Sequence, residues 1–435
     1  MQKLYSLNNK VCACGKLHSF SSEIVVGEGV ISKLPEIIKK YNCRKPFILS
    51  DKNTYAAAGK SVCEILEDRG IDFSCYTFDS DEVLPDEKSV GLAVMHYDYD
   101  CDMIIGVGSG VINDICKIIS AMTEKYYVIV ATAPSMDGYA SSTSSMTRNG
   151  LKISLPSHRA DVILGDIDIL RNAPIKMLVS GIGDMLAKYV SICEWRISNL
   201  ITGEYYCEEI ASLVRDALKI CVDNADGLLK RDKKAVKAVF EGLVISGVAM
   251  NYAGVSRPAS GVEHYLSHVW DMRGIEFGTA VELHGIQCAV GTLIALKEYE
   301  KLKTVVPDRQ KALKYVEDFD YSVWSEELKK FLGHGADDMI AREQMEGKYD
   351  KEKHKARLEV IINKWDDIIK VVDEELPSYD TVYNLMTSIG APTTLDEIGQ
   401  PESILPMSFK TTKDIRDKYV LSRLLWDIGV LDELV

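Results

Sequence analysis

No run in this sequence is apolar for long enough to cross a bilayer. The longest, GLVISGVAMNYAGV, falls short of the ~20 residues a membrane helix needs and reads as a buried helix. Positive charge is also short. Lys and Arg total 51 against 65 Asp and Glu, for a net charge of −14. A polyanionic nucleic acid is therefore excluded as a partner, because binding a phosphate chain needs clustered cations. A small phosphorylated molecule in a local basic pocket is not excluded. No apolar segment follows the start MQKLYSLNNKVCACGK, so no secretory signal is expected. The eleven cysteines are odd in number and scattered, which points to reduced thiols and a cytoplasmic setting. Internal repeats and low-complexity linkers are missing too.

Cys12, Cys14 and His18 in CACGKLH are ligand types. A structural zinc site usually takes four ligands with CxxC-type spacing, and no second Cys/His cluster stands nearby in the sequence. No metal is expected there.

What is present is the composition of a folded, soluble protein, with 46% hydrophobic and 27% charged residues. A chain of 435 residues exceeds one ordinary core, so two domains are expected. The first third alternates. PFILSD (46–51), IDFSCYTF, CDMIIGVGSG and YYVIVATAP read as strands, and AGKSVCEILEDRG, DEKSVGLAVMHYDY and VINDICKIISAM between them as helices. Such alternation implies a mostly parallel sheet covered by helices. Beyond about residue 165 the 3.6-residue period dominates, from KMLVSGIGDMLAKYVSICEWRISN to DKEKHKARLEVIINKWDDIIKVV. The expectation is an α/β N-terminal domain with a Rossmann-like parallel sheet (1–167) and an all-α C-terminal domain (168–435). The charged segment 310–380 reads as a solvated helical face.

The run IIGVGSGVINDICK sets Gly106, Gly108 and Gly110 between a strand and a helix. Glycines admit a pyrophosphate close to the backbone, and the helix N-terminus offers free N–H groups. The spacing is GxGxG rather than GxGxxG, and a plain tight turn is the competing reading. Asp51, at an earlier strand end, could bond a ribose hydroxyl or simply cap a helix. The loop after YYVIVATAP carries Thr132, Ser135, Asp137, Ser141, Ser142 and Thr143, and loops at the carboxyl ends of parallel strands carry ligands.

Three of only eight histidines fall close together: His264 and His268 in SGVEHYLSHVWDM, and His284 in VELHGIQ. Residues i and i+4 share a helix face, so His264 and His268 form one candidate metal pair. The order EHxxxH is not that of zinc proteases. Imidazoles with a carboxylate suit Zn²⁺, Ni²⁺ or Fe²⁺. Asp184, in an apolar helix start, needs a cation or strong donors if buried. Satisfied core histidines and a capping aspartate are the alternative.

GVGSGVINDICK, TAPSMDGYASSTSS, GDIDIL, GIGDMLAKY, SGVEHYLSHVWDM and LHGIQCAVGT, in that order over roughly residues 45–295, resemble the glycerol-1-phosphate dehydrogenase family. That family lies within the superfamily of iron-containing alcohol dehydrogenases, glycerol dehydrogenases and dehydroquinate synthases. The resemblance implies the superfamily's fold and the reversible reduction of dihydroxyacetone phosphate to sn-glycerol 1-phosphate by NADH or NADPH. It implies one divalent metal (zinc, nickel or iron) on Asp184, His264 and His284, and leaves His268 facing substrate rather than metal. It places Asp137, with Asp184 and His268, against substrate. It assigns cofactor contacts to Asp51, to Gly108, to the run Gly110, Val111, Ile112, Asn113 and Asp114, and to Thr132, Ser135 and Ser141. A metal-linked water or His268 would supply the proton. Lys152, Lys188 and Arg257 are candidate phosphate cations. A homo-oligomer is implied as well. One departure stands out: many relatives have Gly-Gly-Ser where this chain has Ser109–Gly110–Val111, so backbone N–H groups must serve in place of a hydroxyl. A glycerol or other polyol or alcohol dehydrogenase, and a dehydroquinate-synthase-like cyclase, are the rival activities.

Overall fold

A computed structural model describes residues 2–80, 82–148 and 151–434. Its strands are β1 (Lys10–Val11), β2 (Leu17–His18), β3 (Glu23–Gly27), β4 (Pro46–Asp51), β5 (Ser74–Phe78), β6 (Met103–Gly108), β7 (Tyr126–Ala131), β8 (Thr143–Arg148), β9 (Leu151–Pro156) and β10 (Val162–Asp166). Six form one parallel sheet in the order β3–β10–β7–β6–β4–β5. Strands β8 and β9 pair antiparallel as a separate ribbon, and β1 with β2 as a short hairpin.

The central strands are buried throughout, as parallel strands covered on both faces must be. Ile48, Ile105, Val107, Val128, Val130 and Leu164 pack with Leu34, Ile38, Val62 and Leu66 from helices. The strands expected from PFILSD, IDFSCYTF, CDMIIGVGSG and YYVIVATAP are β4 to β7. The sequence reading passed over β3, β10 and the β8–β9 ribbon. Strand β3 is half-buried at the sheet edge, β10 has five residues, and β8 (TSSMTR) is largely polar.

The strand order explains the unusual position of the glycines. From β4 the chain crosses to β5 on one side, and from β6 to β7 on the other, while β4 and β6 are hydrogen-bonded neighbours. Ligands of open parallel sheets bind at the carboxyl ends of strands where the order reverses in this way. Those ends here are Asp51 and Gly108.

After β10 the described residues are helical or irregular. The long periodic segment from residue 176 is two helices, Ile175–Leu186 and Lys188–Thr202. The apolar run GLVISGVAMNYAGV lies in the buried helix Lys233–Ala253. No described helix is long and apolar enough to cross a membrane. The chain divides into two compact units, 1–185 with 216–254, and 186–215 with 255–435. The first therefore holds the sheet together with the helices Ile175–Leu186 and Lys233–Ala253.

Candidate active site

In the first unit, β6 ends at Gly108 and the helix Gly110–Thr123 begins two residues later. A Cβ on Gly108 would stand 2.5 Å from Cβ of Ile112, so only glycine lets the helix start this close to the strand. No side chain caps the helix. Ser109, at the cap position, turns its hydroxyl to Ser135 Oγ at 2.6 Å instead. The N–H groups of the first turn therefore carry no side-chain acceptor, the condition for an anion site.

The following loop is held from several sides. Thr132 N donates to Gly108 O (3.0 Å), and Tyr139 Oη donates to Ala133 O (2.6 Å). Ser180 Oγ donates to Ser135 O (2.9 Å). The buried Lys117 ammonium pairs with Asp114 (2.7 Å) and donates to Thr143 O (2.7 Å) and Gly138 O (3.3 Å). Ser141 bonds within its own loop, to Thr143 Oγ1 at 3.0 Å.

Asp137 N donates to Asp184 Oδ2 at 2.9 Å, and Asp137 Oδ2 accepts from Ser246 Oγ at 2.8 Å. Both acids named from the sequence thus lie against the same loop in this unit. Asp184 is fully buried. The Asn113 amide is committed to the core, donating to Gly138 O (3.1 Å) and accepting from Tyr127 Oη (2.9 Å). Asp51 does cap a helix: its Oδ1 accepts from Asn53 N and Thr54 N, both at 2.8 Å.

In the second unit, the helices Val262–Phe277 and His284–Leu302 pack together and bring His264 and His284 to 5.1 Å between ring centroids. The converging donor atoms, all within 4.8 Å of one another, belong to His264, His284 and Cys288. His268, one turn beyond His264, is half-buried, with its ring 6.1 Å from that of His284. The i,i+4 pair of one helix is thus not the pair that converges.

Proton bookkeeping fixes which nitrogens face the cluster. Glu263 Oε1 lies 2.8 Å from His264 Nδ1, so that nitrogen carries the hydrogen and Nε2 is the acceptor nitrogen. Ser267 Oγ donates to Gln287 Oε1 (2.6 Å) and so accepts from His284 Nδ1 (3.1 Å), which makes Nε2 the acceptor nitrogen, 3.6 Å from Cys288 Sγ. Two imidazoles, each oriented through Nδ1, beside the Cys288 thiol make a donor set fit for a divalent transition metal. Sequence reasoning passed over Glu263, Ser267 and Cys288. Only Cys288 left a sequence signal, standing four residues after His284 on one helix face.

Burial and the neighbouring Glu263 push the Glu194 carboxyl well above its ordinary range. Glu194 accepts from Val262 N (2.9 Å) and Leu421 N (2.7 Å). Residues 256–260, just before the His264 helix, are anchored by two buried lysines. Lys188 Nζ donates to Ala259 O (3.0 Å), and Lys418 Nζ to Ser260 O (2.6 Å) and Ser256 O (3.2 Å). Burial, with Arg257 and Arg416 nearby, lowers Lys418 to about 7. Arg257 is bound to Glu204.

A family model described as iron-containing alcohol dehydrogenase matches residues 25–174. A glycerol-1-phosphate dehydrogenase [NAD(P)+] of Halalkalibacterium halodurans is 33% identical over 294 residues, 66% of this chain and 74% of that protein. One from Bacillus licheniformis is 25% identical over 429 residues, covering 98% and 94%. Among solved structures, a glycerol dehydrogenase of Schizosaccharomyces pombe aligns over 96% of this chain and 91% of its own, with TM-score 0.63 and 18% identity. That likeness carries the fold, while the sequence matches carry the narrower kinship. With a phosphate-ready helix start in one unit and two oriented imidazoles in the other, the chain belongs to the glycerol-1-phosphate dehydrogenase family.

Proposed function

We propose that this chain catalyses the reversible NAD(P)H-dependent reduction of dihydroxyacetone phosphate to sn-glycerol 1-phosphate. The observation that supports it most is the pair of Nε2 atoms presented by His264 and His284, in a chain whose relatives bear that enzyme's name.

Asp184, His264 and His284 would hold one divalent metal, zinc, nickel or iron. When bound it supplies Lewis-acid polarisation of the substrate carbonyl. The dinucleotide supplies the hydride. The protein's own groups do the rest. The uncapped N–H groups from Gly110 to Ile112 receive the pyrophosphate, with Gly108 keeping side chains out of the way. Thr132, Ser135 and Ser141 line the dinucleotide, and Asp51, at the neighbouring strand end, would meet the adenosine ribose and so favour NADH over NADPH. Asn113 and Asp114 support these contacts from behind: the first holds Gly138, and the second holds Lys117, which anchors the loop. Asp137, steadied by Ser246, orients a substrate hydroxyl. His268 faces substrate and passes a proton to the developing alkoxide. Lys152, Lys188 and Arg257 are the candidate cations for the ester phosphate. The enzyme works in the cytoplasm as a homo-oligomer, with a dinucleotide-binding domain over 1–167 and a metal- and substrate-binding domain over 168–435.

The test is to strip metal with chelator, restore Zn²⁺, Ni²⁺ or Fe²⁺ singly, and follow NADH and NADPH oxidation with dihydroxyacetone phosphate or free dihydroxyacetone. Metal-restored turnover that prefers the ester supports the reading. Turnover of the free ketone alone moves the enzyme to the glycerol dehydrogenases, and absence of net cofactor oxidation defeats both.

A further inference from the structure

Cys12, Cys14 and His18 stand far in sequence from every residue used above. The fold gathers them on the β1–β2 hairpin, where each offers a ligand atom within 4.8 Å of the others. Cys12 N bonds Lys16 O, and Gly15 N bonds Cys12 O, both at 2.9 Å. Gly15 takes φ +83, a left-handed turn that bends the thiols toward the histidine. His18 is fully buried. Its Nδ1 lies 3.1 Å from Tyr252 O, a carbonyl that can only accept, so Nδ1 carries the hydrogen and Nε2 keeps its lone pair. That Nε2 lies 3.5 Å from Cys14 Sγ. Two ligands at the zinc distances of about 2.3 Å (sulfur) and about 2.0–2.1 Å (nitrogen), set at a tetrahedral angle, stand about 3.6 Å apart. The spacing is that of ligands around one ion.

The hairpin gains little from apolar burial of its own strands. Each strand is two residues long. Its apolar residues Val11 and Leu17 are 76% and 62% exposed, so they bury little. Two-stranded ribbons of this size are at best marginally stable in water without a staple. No disulfide supplies one. We propose that Cys12, Cys14 and His18 bind a structural zinc ion, with a further thiolate or water completing the tetrahedron. Soft thiolates with an imidazole select zinc over the harder divalent ions. The Tyr252 carbonyl, on the helix Lys233–Ala253, orients the histidine from behind, as second ligand atoms of zinc-bound histidines are generally held. The ion would cross-link the hairpin itself, while the His18–Tyr252 bond joins the hairpin to the end of that helix. The sequence argued against a metal here because the spacing is CxC and no second cluster stands nearby. The hairpin makes His18 the partner that CxxC spacing would have supplied.

The experiment uses the full-length chain in an H284A/C288S background, which lacks an imidazole and the thiol of the other site. Elemental analysis after extended dialysis should find one zinc per chain. Replacing zinc by Co²⁺ should give an intense near-ultraviolet thiolate-to-metal band, with tetrahedral d–d bands in the visible. Adding C12S and C14S should remove both zinc and spectrum. In the otherwise native chain, C12S/C14S should lower the thermal midpoint while leaving KM unchanged. A metal-free H284A/C288S protein, or a cobalt form without thiolate absorption, overturns the proposal. So does zinc that persists at full stoichiometry when C12S and C14S are added to the H284A/C288S background. The cobalt spectrum needs no substitution at the hairpin, so it decides the matter even where the serine variants fold poorly.

Discussion

At the scale of single residues, the candidate site depends on side chains that would touch neither metal nor substrate. Glu263 holds His264 through Nδ1. The Glu263→Gln variant keeps the size but loses the charge, so metal affinity should fall by about 10–100-fold. A competitive chelator titration measures this, and unchanged affinity would remove Glu263 from the site's support. His284→Ala should abolish turnover and metal binding at the histidine site, leaving only the metal of the N-terminal hairpin. His268→Ala should keep the metal at full stoichiometry while kcat drops by about 10²–10⁴-fold, the range for a lost acid–base group. Equal metal loss in both variants would refute the division of roles. Lys418 gives a pH signature. Its folded value of about 7 lies below the ordinary lysine value near 10.5. Between those values the unfolded chain binds more protons, so this group makes stability rise with pH over that window. Lys418→Met should flatten the rise, narrowing the difference between pH 7 and 9 by about 2 kcal/mol in urea unfolding.

At the scale of elements, the loop after β7 serves as the floor of the cofactor site, and Lys117 is its anchor. The ammonium is 1% exposed and meets Asp114, Gly138 O and Thr143 O. Lys117→Met takes the cation from the buried Asp114 and one donor from each of two carbonyls, at a cost of about 3 kcal/mol. Amide exchange across 138–143 should quicken, and NADH affinity should fall more than metal affinity. Exchange that stays as slow as in the native protein would show the loop held by its other bonds alone. Elements also set the limit of what could be read without a structure. Strands β4 to β7 were legible because each is an apolar run between helical periods. Strands β3 and β10 were not: β3 is only half-buried, and the short apolar run VILGD of β10 stands where the helical period begins. The helix break between Leu186 and Lys188 was equally hidden, since the apolar period continues across it.

At the scale of the whole molecule, the two units contribute different parts of one proposed chemistry, the first the sheet and its loops and the second the paired helices. An ion that binds only the folded chain adds about 2.7 kcal/mol of stability at 100 times its Kd. Restoring the preferred metal to chelated protein should therefore raise the unfolding midpoint in proportion to the logarithm of its concentration. A midpoint indifferent to metal would mean that no folded site exists.

The sequence by itself determined the α/β-then-α order and marked the strand–glycine–helix run, Asp137, Asp184 and the three histidines as candidates, because periodicity and residue type are local properties. It could not choose between His268 and His284 as the partner of His264. The packing of the helices Val262–Phe277 and His284–Leu302 decided that, by setting His264 and His284 beside Cys288. The tertiary structure likewise turned the CxC of the N-terminus into a ligand cluster and set β4 against β6 at the reversal of strand order. Each of these depends on which segments meet across long stretches of chain. Spacing along the backbone does not encode that, whereas burial of apolar surface and pairing of polar groups enforce it.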